Sequence, residues 1–411
     1  LKPKPDFPEE YCDYIGAVKY KERLFDAAYR HFRKGVELNY SYKSFCYGNS
    51  SWLEPYALFF VLKRHSGGKP WNEWEKKFRD KSPDAIRSAR DRFRDEMEKE
   101  KFLQYIFFRQ WLSLKKYCSK HNIKVIGDMP IYVMFDSSDV WNNASLFKLD
   151  RKKKPSYVSG VPPDCFSKSG QLWGNPVYRW GMLRKTGYKW WIRRFRHALR
   201  LFDIVRVDHF RGFVAFWQVP AHEKTAIRGR WVKAPANNFF KTLLKTFPRL
   251  PIIAEDLGII TPDVKKVMCK FRFPGMRVLL FAFGEDNPRH PYLPCNFIHD
   301  CVAYTGTHDN NTVKGWFVNE ASGEEKKRLS GYLGHEVGVD NVNIEFIKMC
   351  ESSISNTVII PMQDILGLGQ EARMNTPSKS EGNWRWRLSA GQLKKGLSKE
   401  ILDLVKTYGR D

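Results

Sequence analysis

The chain of 411 residues is 42% hydrophobic and 28% charged, enough apolar material for a large core beneath an ordinary polar surface. It holds no run of about 18 uncharged apolar residues, which argues against a membrane-spanning helix, and Leu1–Asp6 lacks the apolar centre of a signal peptide. The formal charge is +25, but the basic residues are dispersed, with local runs at 151–154, 185–196 and 394–399, and no helix-turn-helix, RNP or zinc-finger pattern accompanies them. The charge therefore reads as a solvated basic surface that attracts acidic partners without specificity and does not point to nucleic acid.

Residues 1–20 are rich in Pro and acidic turn formers and read as an extended lead-in. Residues 21–100 are polar, aromatic and helix-like, so 1–100 as a whole is expected to be a lead-in plus a helical insertion subdomain. Tyr56–Leu62 is its most apolar stretch, and Pro83-Asp84 ahead of Ala85–Arg90 marks a helix start. Phe102, Ile106, Phe107, Trp111, Leu112 and Leu114 recur close to helical spacing and predict an amphipathic helix over 101–120. Ile123–Asp128 then reads as a strand ending in an acid. From there to about Trp180 the chain is rich in Pro, Gly and Ser without a regular period, which predicts a long loop insertion, bounded at about 134–200.

Beyond it, strand and helix patterns alternate. With the strand at 128, the expected strands end near residues 128, 208, 255, 281, 305 and 360. This alternation argues for an α/β fold with a parallel sheet and, without any Gly/Ser linker, for one catalytic domain over 101–411. A closed (β/α)8 TIM barrel needs two strands more, and residues 1–100 do not supply them. Eight cysteines, at 12, 46, 118, 165, 269, 295, 301 and 350, form no CxxC pair. That argues against zinc or dithiol chemistry; Cys301 reads as a buried thiol, and the expected setting is reducing and cytoplasmic.

Three short apolar runs each deliver a carboxylate. Phe202–Val207 leads to Asp208, Pro251–Ala254 to Glu255, and Cys301–His308 to Asp309. The C-terminal end of a buried parallel strand is where (β/α) barrels place their chemistry. Cleaving a glycosidic bond with retention takes two carboxyl groups, one to attack the anomeric carbon and one to shuttle a proton. Arg206 lies two residues before Asp208, on the same strand face, where a guanidinium would keep a nucleophilic carboxylate ionised. Glu255 would need a raised pKa to serve as an acid near neutrality. Asp309, beside His308, could hold sugar hydroxyls and stabilise developing positive charge. Taken singly, a strand-end Asp is more often a helix cap, and His209 or His308 an ordinary hydrogen-bonded histidine. On spacing alone the two readings balance.

The neighbouring residues tip that balance. Arg206-Val207-Asp208-His209-Phe210-Arg211-Gly212, Ala254-Glu255-Asp256-Leu257-Gly258 and Thr307-His308-Asp309-Asn310-Asn311-Thr312 closely resemble the catalytic segments of the 4-α-glucanotransferases, the amylomaltases or disproportionating enzymes of glycoside hydrolase family 77. Gly127–Val133 resembles the preceding strand segment, and Gly160–Asp164 with Gly170–Pro176 the active-site loop. Gly229–Val232, Gln370–Pro377 and Asn383-Trp384 extend the likeness over essentially the whole chain.

The resemblance implies a TIM barrel with helical and loop insertions and retaining transfer of α-1,4-glucan segments between maltooligosaccharides through a covalent intermediate. An amylase-type hydrolase is the alternative. Asp208 would be the nucleophile, Glu255 the general acid/base and Asp309 the transition-state stabiliser, with Asp128, Arg206, His209, Asp256 and His308 on substrate-contacting or supporting positions. The loop with Gln171 and Trp173 would cover bound glucan. No metal or organic cofactor is implied. The partners are maltooligosaccharides and starch- or glycogen-derived glucans, handled by a monomer or weak oligomer in the cytoplasm, or in a plastid in a plant. The family's first two barrel strands have no counterpart in the sequence, an expected shortfall of about 70–90 residues at about 30 per strand–helix unit. Pro377-Ser378 stands where the family often has Pro-Gly.

Overall fold

The computed structural model describes residues 3–35, 39–163, 167–377 and 379–411; the readings that touch Leu1, Asp164, Cys165 and Ser378 lie outside these. The chain divides into two compact units, one of residues 23–272 and one of residues 1–22 with 273–411.

In the 23–272 unit, helices Tyr40–His65 and Arg94–Lys120 pack along each other. Asn39 starts the first by accepting the Tyr42 amide, and its buried Tyr42, Phe45 and Leu53 meet Phe102, Tyr105 and Phe108 of the second. The helix expected over 101–120 thus begins earlier, at Arg94, while the helix started by Pro83 runs to Arg92 as its sequence suggests. The extended lead-in gives way early, since a helix already begins at Tyr14 and runs to Arg33.

Seven strands follow: β1 (Ile126–Pro130), β2 (Tyr157–Val161), β3 (Gln171–Pro176), β4 (Ile204–Asp208), β5 (Ala215–Pro220), β6 (Arg230–Lys233) and β7 (Ile252–Ala254). β1, β4 and β7 form a parallel sheet in that order, with Asp128 opposite Arg206 and Arg206 opposite Ile253. Val205, Val207, Ile253 and Ala254 are buried, as continuous apolar runs on a covered sheet should be. β1 begins three residues later than expected, because Asn122 in the left-handed region ends the preceding helix, and it continues past Asp128 to Pro130. Asp128 is therefore inside the strand and not at its end.

The expected loop at 134–200 is instead built from regular elements. It holds helices Ser138–Asn142, Trp180–Lys185 and Lys189–Leu201, and β2 and β3 join β5 and β6 in an antiparallel sheet of order β3-β2-β5-β6. Gly160 permits the closest approach there: a Cβ at that position would lie 2.3 Å from the Gln171 carbonyl oxygen.

In the other unit, β8 (Gly275–Val278), β9 (Cys301–Tyr304) and β10 (Thr357–Ile359) form a second parallel sheet with β9 central. β8 stops at Val278 and tightens into a 3-10 turn over Leu279–Phe281, short of the expected end. β9 stops at Tyr304, so Asp309 sits on the loop beyond the strand and not at its tip. Helices Val313–Asn319, Gly323–Leu333 and Val342–Glu351 then cross to β10, the second of them opened by a Ser322/Glu325 capping box. The architecture is mixed α/β, with parallel strands in both units. Among the described residues no helix is long and apolar enough to cross a membrane. The seven described cysteines are free thiols, with Cys301 and Cys350 buried.

Candidate active site

Within the 23–272 unit, the parallel sheet gathers charge at one end. Arg206 is buried at 7% exposure and its Nη1 lies 2.7 Å from both carboxylate oxygens of Asp128 and 3.2 Å from Oδ1 of Asp208. Strand pairing explains the triad: Asp128 faces Arg206 across the β1–β4 ladder, and Asp208 is two residues along the same strand face. Burial works against the charge on Arg206, but the carboxylates of Asp128, Asp208 and Glu255 outweigh it and hold the guanidinium above its ordinary range.

Glu255 follows β7 directly and is 8% exposed. Two backbone amides hold it, His209 N–H donating to Oε2 at 2.6 Å and Leu257 N–H to Oε1 at 2.7 Å. Burial first, then the negative charge of Asp208, push its pKa up to about 7 against the opposing pull of Arg206 and the two amides. The site thus carries one carboxyl poised to hold a proton near neutrality and, beside it, carboxylates countered by a fixed guanidinium.

His209 has a left-handed backbone, φ +50°, which turns its N–H onto Glu255. Burial and the nearby Arg211 push its ring down to about 4, so the imidazole is neutral at ordinary pH, and its buried Nε2 has no hydrogen-bond partner among the described residues. Trp173 of β3 packs edge-on against it, with ring centroids 4.8 Å apart, and donates its Nε1–H to Gln171 Oε1 at 3.1 Å. Asp256 is buried next to Glu255. The structure therefore brings eight of the ten expected residues into this one unit: Asp128, Gln171, Trp173, Arg206, Asp208, His209, Glu255 and Asp256.

Asp309 and His308 belong to the other unit and have their own setting. Asn375 donates to Asp309 Oδ1 at 2.6 Å, Arg373 to the Asp309 carbonyl at 3.1 Å, and His308 Nε2 lies 3.5 Å from Asp309 Oδ2. Trp384, in the left-handed region at φ +60°, stacks obliquely on His308 with centroids 5.2 Å apart. Asn375, Arg373 and Trp384 had no role assigned from sequence; their place inside the family-like stretches Gln370–Pro377 and Asn383-Trp384 was the available signal. Among the described residues no group of three or more His, Cys, Asp or Glu is placed to hold a metal ion.

A neutral-prone acid beside a charge-countered carboxylate, at the ends of two adjacent parallel strands, is the equipment of an enzyme that combines nucleophilic attack with proton transfer. Residues 2–393 match the model of the 4-alpha-glucanotransferase family, glycoside hydrolase family 77. The chain belongs to that family. It is 44% identical over 415 residues to the 4-alpha-glucanotransferase of Synechocystis sp., an alignment spanning all of this chain and 82% of that one. It is 43% identical over 398 residues to that of Thermus thermophilus, covering 95% of this chain and 79% of that one. Among solved structures, the amylomaltase from Streptococcus agalactiae in complex with acarbose superposes with a TM-score of 0.93 at 33% identity, covering 98% of this chain and 81% of that chain. The family resemblance read from the motifs holds, and the amylase-type alternative is not favoured.

Proposed function

We propose that this enzyme moves α-1,4-linked glucan segments between maltooligosaccharides with retention of configuration, and that Asp208, Glu255 and Asp309 carry the reaction. An Asp208 carboxylate oxygen attacks the anomeric carbon as the glycosidic C–O bond breaks, and Glu255 gives its proton to the departing oxygen. Glu255 then takes the proton from the 4-hydroxyl of an incoming glucan, which attacks the same carbon and releases Asp208. Asp309, steered by Asn375, steadies the oxocarbenium-like transition state.

The single observation that carries this reading is the contrast between Glu255, pushed up to about 7, and the Asp208 carboxylate, 3.2 Å from a buried guanidinium. Asp128, Arg206, His209, Asp256 and His308 are the proposed substrate-contacting or supporting groups. Trp173 and Gln171 are proposed to cover bound glucan, the indole offering an aromatic face to sugar C–H groups; Trp173 is 37% exposed. Excluding water behind it would favour transfer over hydrolysis.

The finer architecture belongs to the same proposal: a (β/α)8 barrel with helical and loop insertions. Its support is the parallel pairing within each sheet and the likeness to an amylomaltase. A cytoplasmic or plastid setting accords with seven free thiols. Incubation of the purified protein with maltotriose is the test. Glucose together with a ladder of longer oligosaccharides is expected; glucose and maltose alone would sink the transfer reading.

A further inference from the structure

Away from the carboxylates, the 23–272 unit holds a cavity of about 490 Å³ between helices Tyr40–His65, Ser138–Asn142 and Lys189–Leu201. Its chemistry is of two kinds. One wall is aromatic: Trp52 and Tyr56, with ring centroids 6.1 Å apart, and the indole of Trp190. The other is cationic: Arg193, Arg194, Arg196 and Arg200 lie along one helix.

These guanidinia are not equivalent. Arg194 is committed to the carbonyls of Pro130 and Ile131 and to the faces of Trp190 and Trp191. Arg200 is fixed by Asn49 at 2.8 Å and lies over Phe108. Arg196 lies over Phe247 without an ion pair, and Arg193 has no hydrogen bond, ion pair or ring contact among the described residues. Asp139 is the carboxylate in the lining, and it accepts the Trp190 Nε1–H at 3.2 Å. Four guanidinia therefore face a single carboxylate, which leaves the cavity with an excess of positive charge, and two of the four are held in place by neighbours.

The floor adds a backbone acceptor. Pro55 has no N–H to give the Ser51 carbonyl inside helix Tyr40–His65, and both residues line the cavity. Asn49, buried at 4% exposure, is taken up within the wall: its Oδ1 accepts from both Trp52 and Arg200, and its Nδ2 donates to the Phe45 carbonyl. Aromatic faces suit the C–H surfaces of a sugar, the freed carbonyl suits a hydroxyl, and the guanidinia suit a phosphate. We infer that this cavity is a second binding site, one for a phosphorylated hexose unit, either a free hexose phosphate or a phosphoester carried on a glucan chain.

Titration calorimetry of the purified protein with glucose 6-phosphate, a 6-phosphorylated maltotetraose, glucose and inorganic phosphate tests this. Arg193→Glu reverses the unpartnered charge without removing a contact, and Lys152→Glu, on the exposed run outside the cavity, matches its change in net charge. At least one phosphorylated probe is expected to bind saturably and more tightly than glucose or phosphate alone. Arg193→Glu should weaken it by about tenfold or more while Lys152→Glu leaves it unchanged. Which phosphorylated probe shows the Arg193-dependent component identifies the source. Maltotriose turnover in Arg193→Glu should stay at the parent level, which separates this site from the catalytic one. Absence of binding by both phosphorylated probes, equal binding of inorganic phosphate, or an affinity indifferent to Arg193→Glu would overturn the inference.

Discussion

Glu255 behaves as it does because its environment opposes its charge. Burial and Asp208 raise its pKa from 4.5 to about 7, so the folded state favours the protonated form. If that proton goes to the leaving oxygen, turnover should decline as pH rises through about 7, a limb that a pH–rate profile on maltotriose will show or deny. Glu255→Gln should lower turnover by about 10²–10⁴-fold. It should also change the pH dependence of stability. The raised pKa contributes stability that is fully present below 4.5 and lost as pH rises through 7, about 3 kcal/mol for a shift of this size. The Gln variant lacks that loss, so denaturant midpoints of the two proteins should diverge in its favour above pH 7.

His209 works in the opposite sense: with a pKa lowered to about 4, its contribution is present above 6.5 and lost on acidification through 4. Asn375 bonds Asp309 at 2.6 Å; its place in the stretch Gln370–Pro377 marked it, but not its role, because amides occur in every loop. Asn375→Ala should cut turnover by about tenfold or more while leaving the melting temperature within a few degrees. Unchanged turnover would show that Asp309 needs no such steering.

At the scale of elements, β4 and β7 were legible because their central residues are buried on both faces. Ile204–Val207 and Ile252–Ala254 are short apolar runs with turn residues beyond them, and their ends fell within a residue of expectation. The antiparallel sheet was not legible. β2 reads Tyr-Val-Ser-Gly-Val and β3 reads Gln-Leu-Trp-Gly-Asn-Pro, so neither alternates cleanly and both carry residues that usually mark turns. What holds them is the absence of a side chain: Gly160 lets β2 and β3 approach where a Cβ would meet a carbonyl oxygen at 2.3 Å. Because the obstacle is backbone, the sheet must shift to admit it. Gly160→Ala should therefore cost about 1–3 kcal/mol in a denaturant titration, and disturb the indole environment of Trp173 on β3. An unperturbed variant would mean that the two strands are free to part.

Across the whole molecule, the +25 charge and the proposed chemistry are separate matters. A neutral glucan feels no long-range attraction to a basic surface, so transfer rates should hardly change between about 50 and 300 mM salt, whereas nonspecific retention on polyanions should fade steeply over that range. A strong salt dependence of turnover would point to a charged participant in the reaction. The ordered set of motifs, more than composition or periodicity, made the family legible: residues 2–393 match its model, and the catalytic segments were recognisable before any geometry. Which groups support those segments was a different question. Trp173 reaches His209 only because β3 belongs to a sheet whose strands lie between residues 157 and 233, a long-range arrangement that no local window encodes.

One detail of the acid's setting bears on how such a site can change over generations. Both donors that hold Glu255 are peptide groups, those of His209 and Leu257. No side-chain replacement short of proline deletes a peptide N–H. Drift at either position can alter what a substrate meets while the aim of the carboxyl group persists, so long as the local chain path survives. Specificity and proton delivery are thereby open to separate variation. The component hardest to rebuild is inscribed in the main chain, where codon changes seldom reach it.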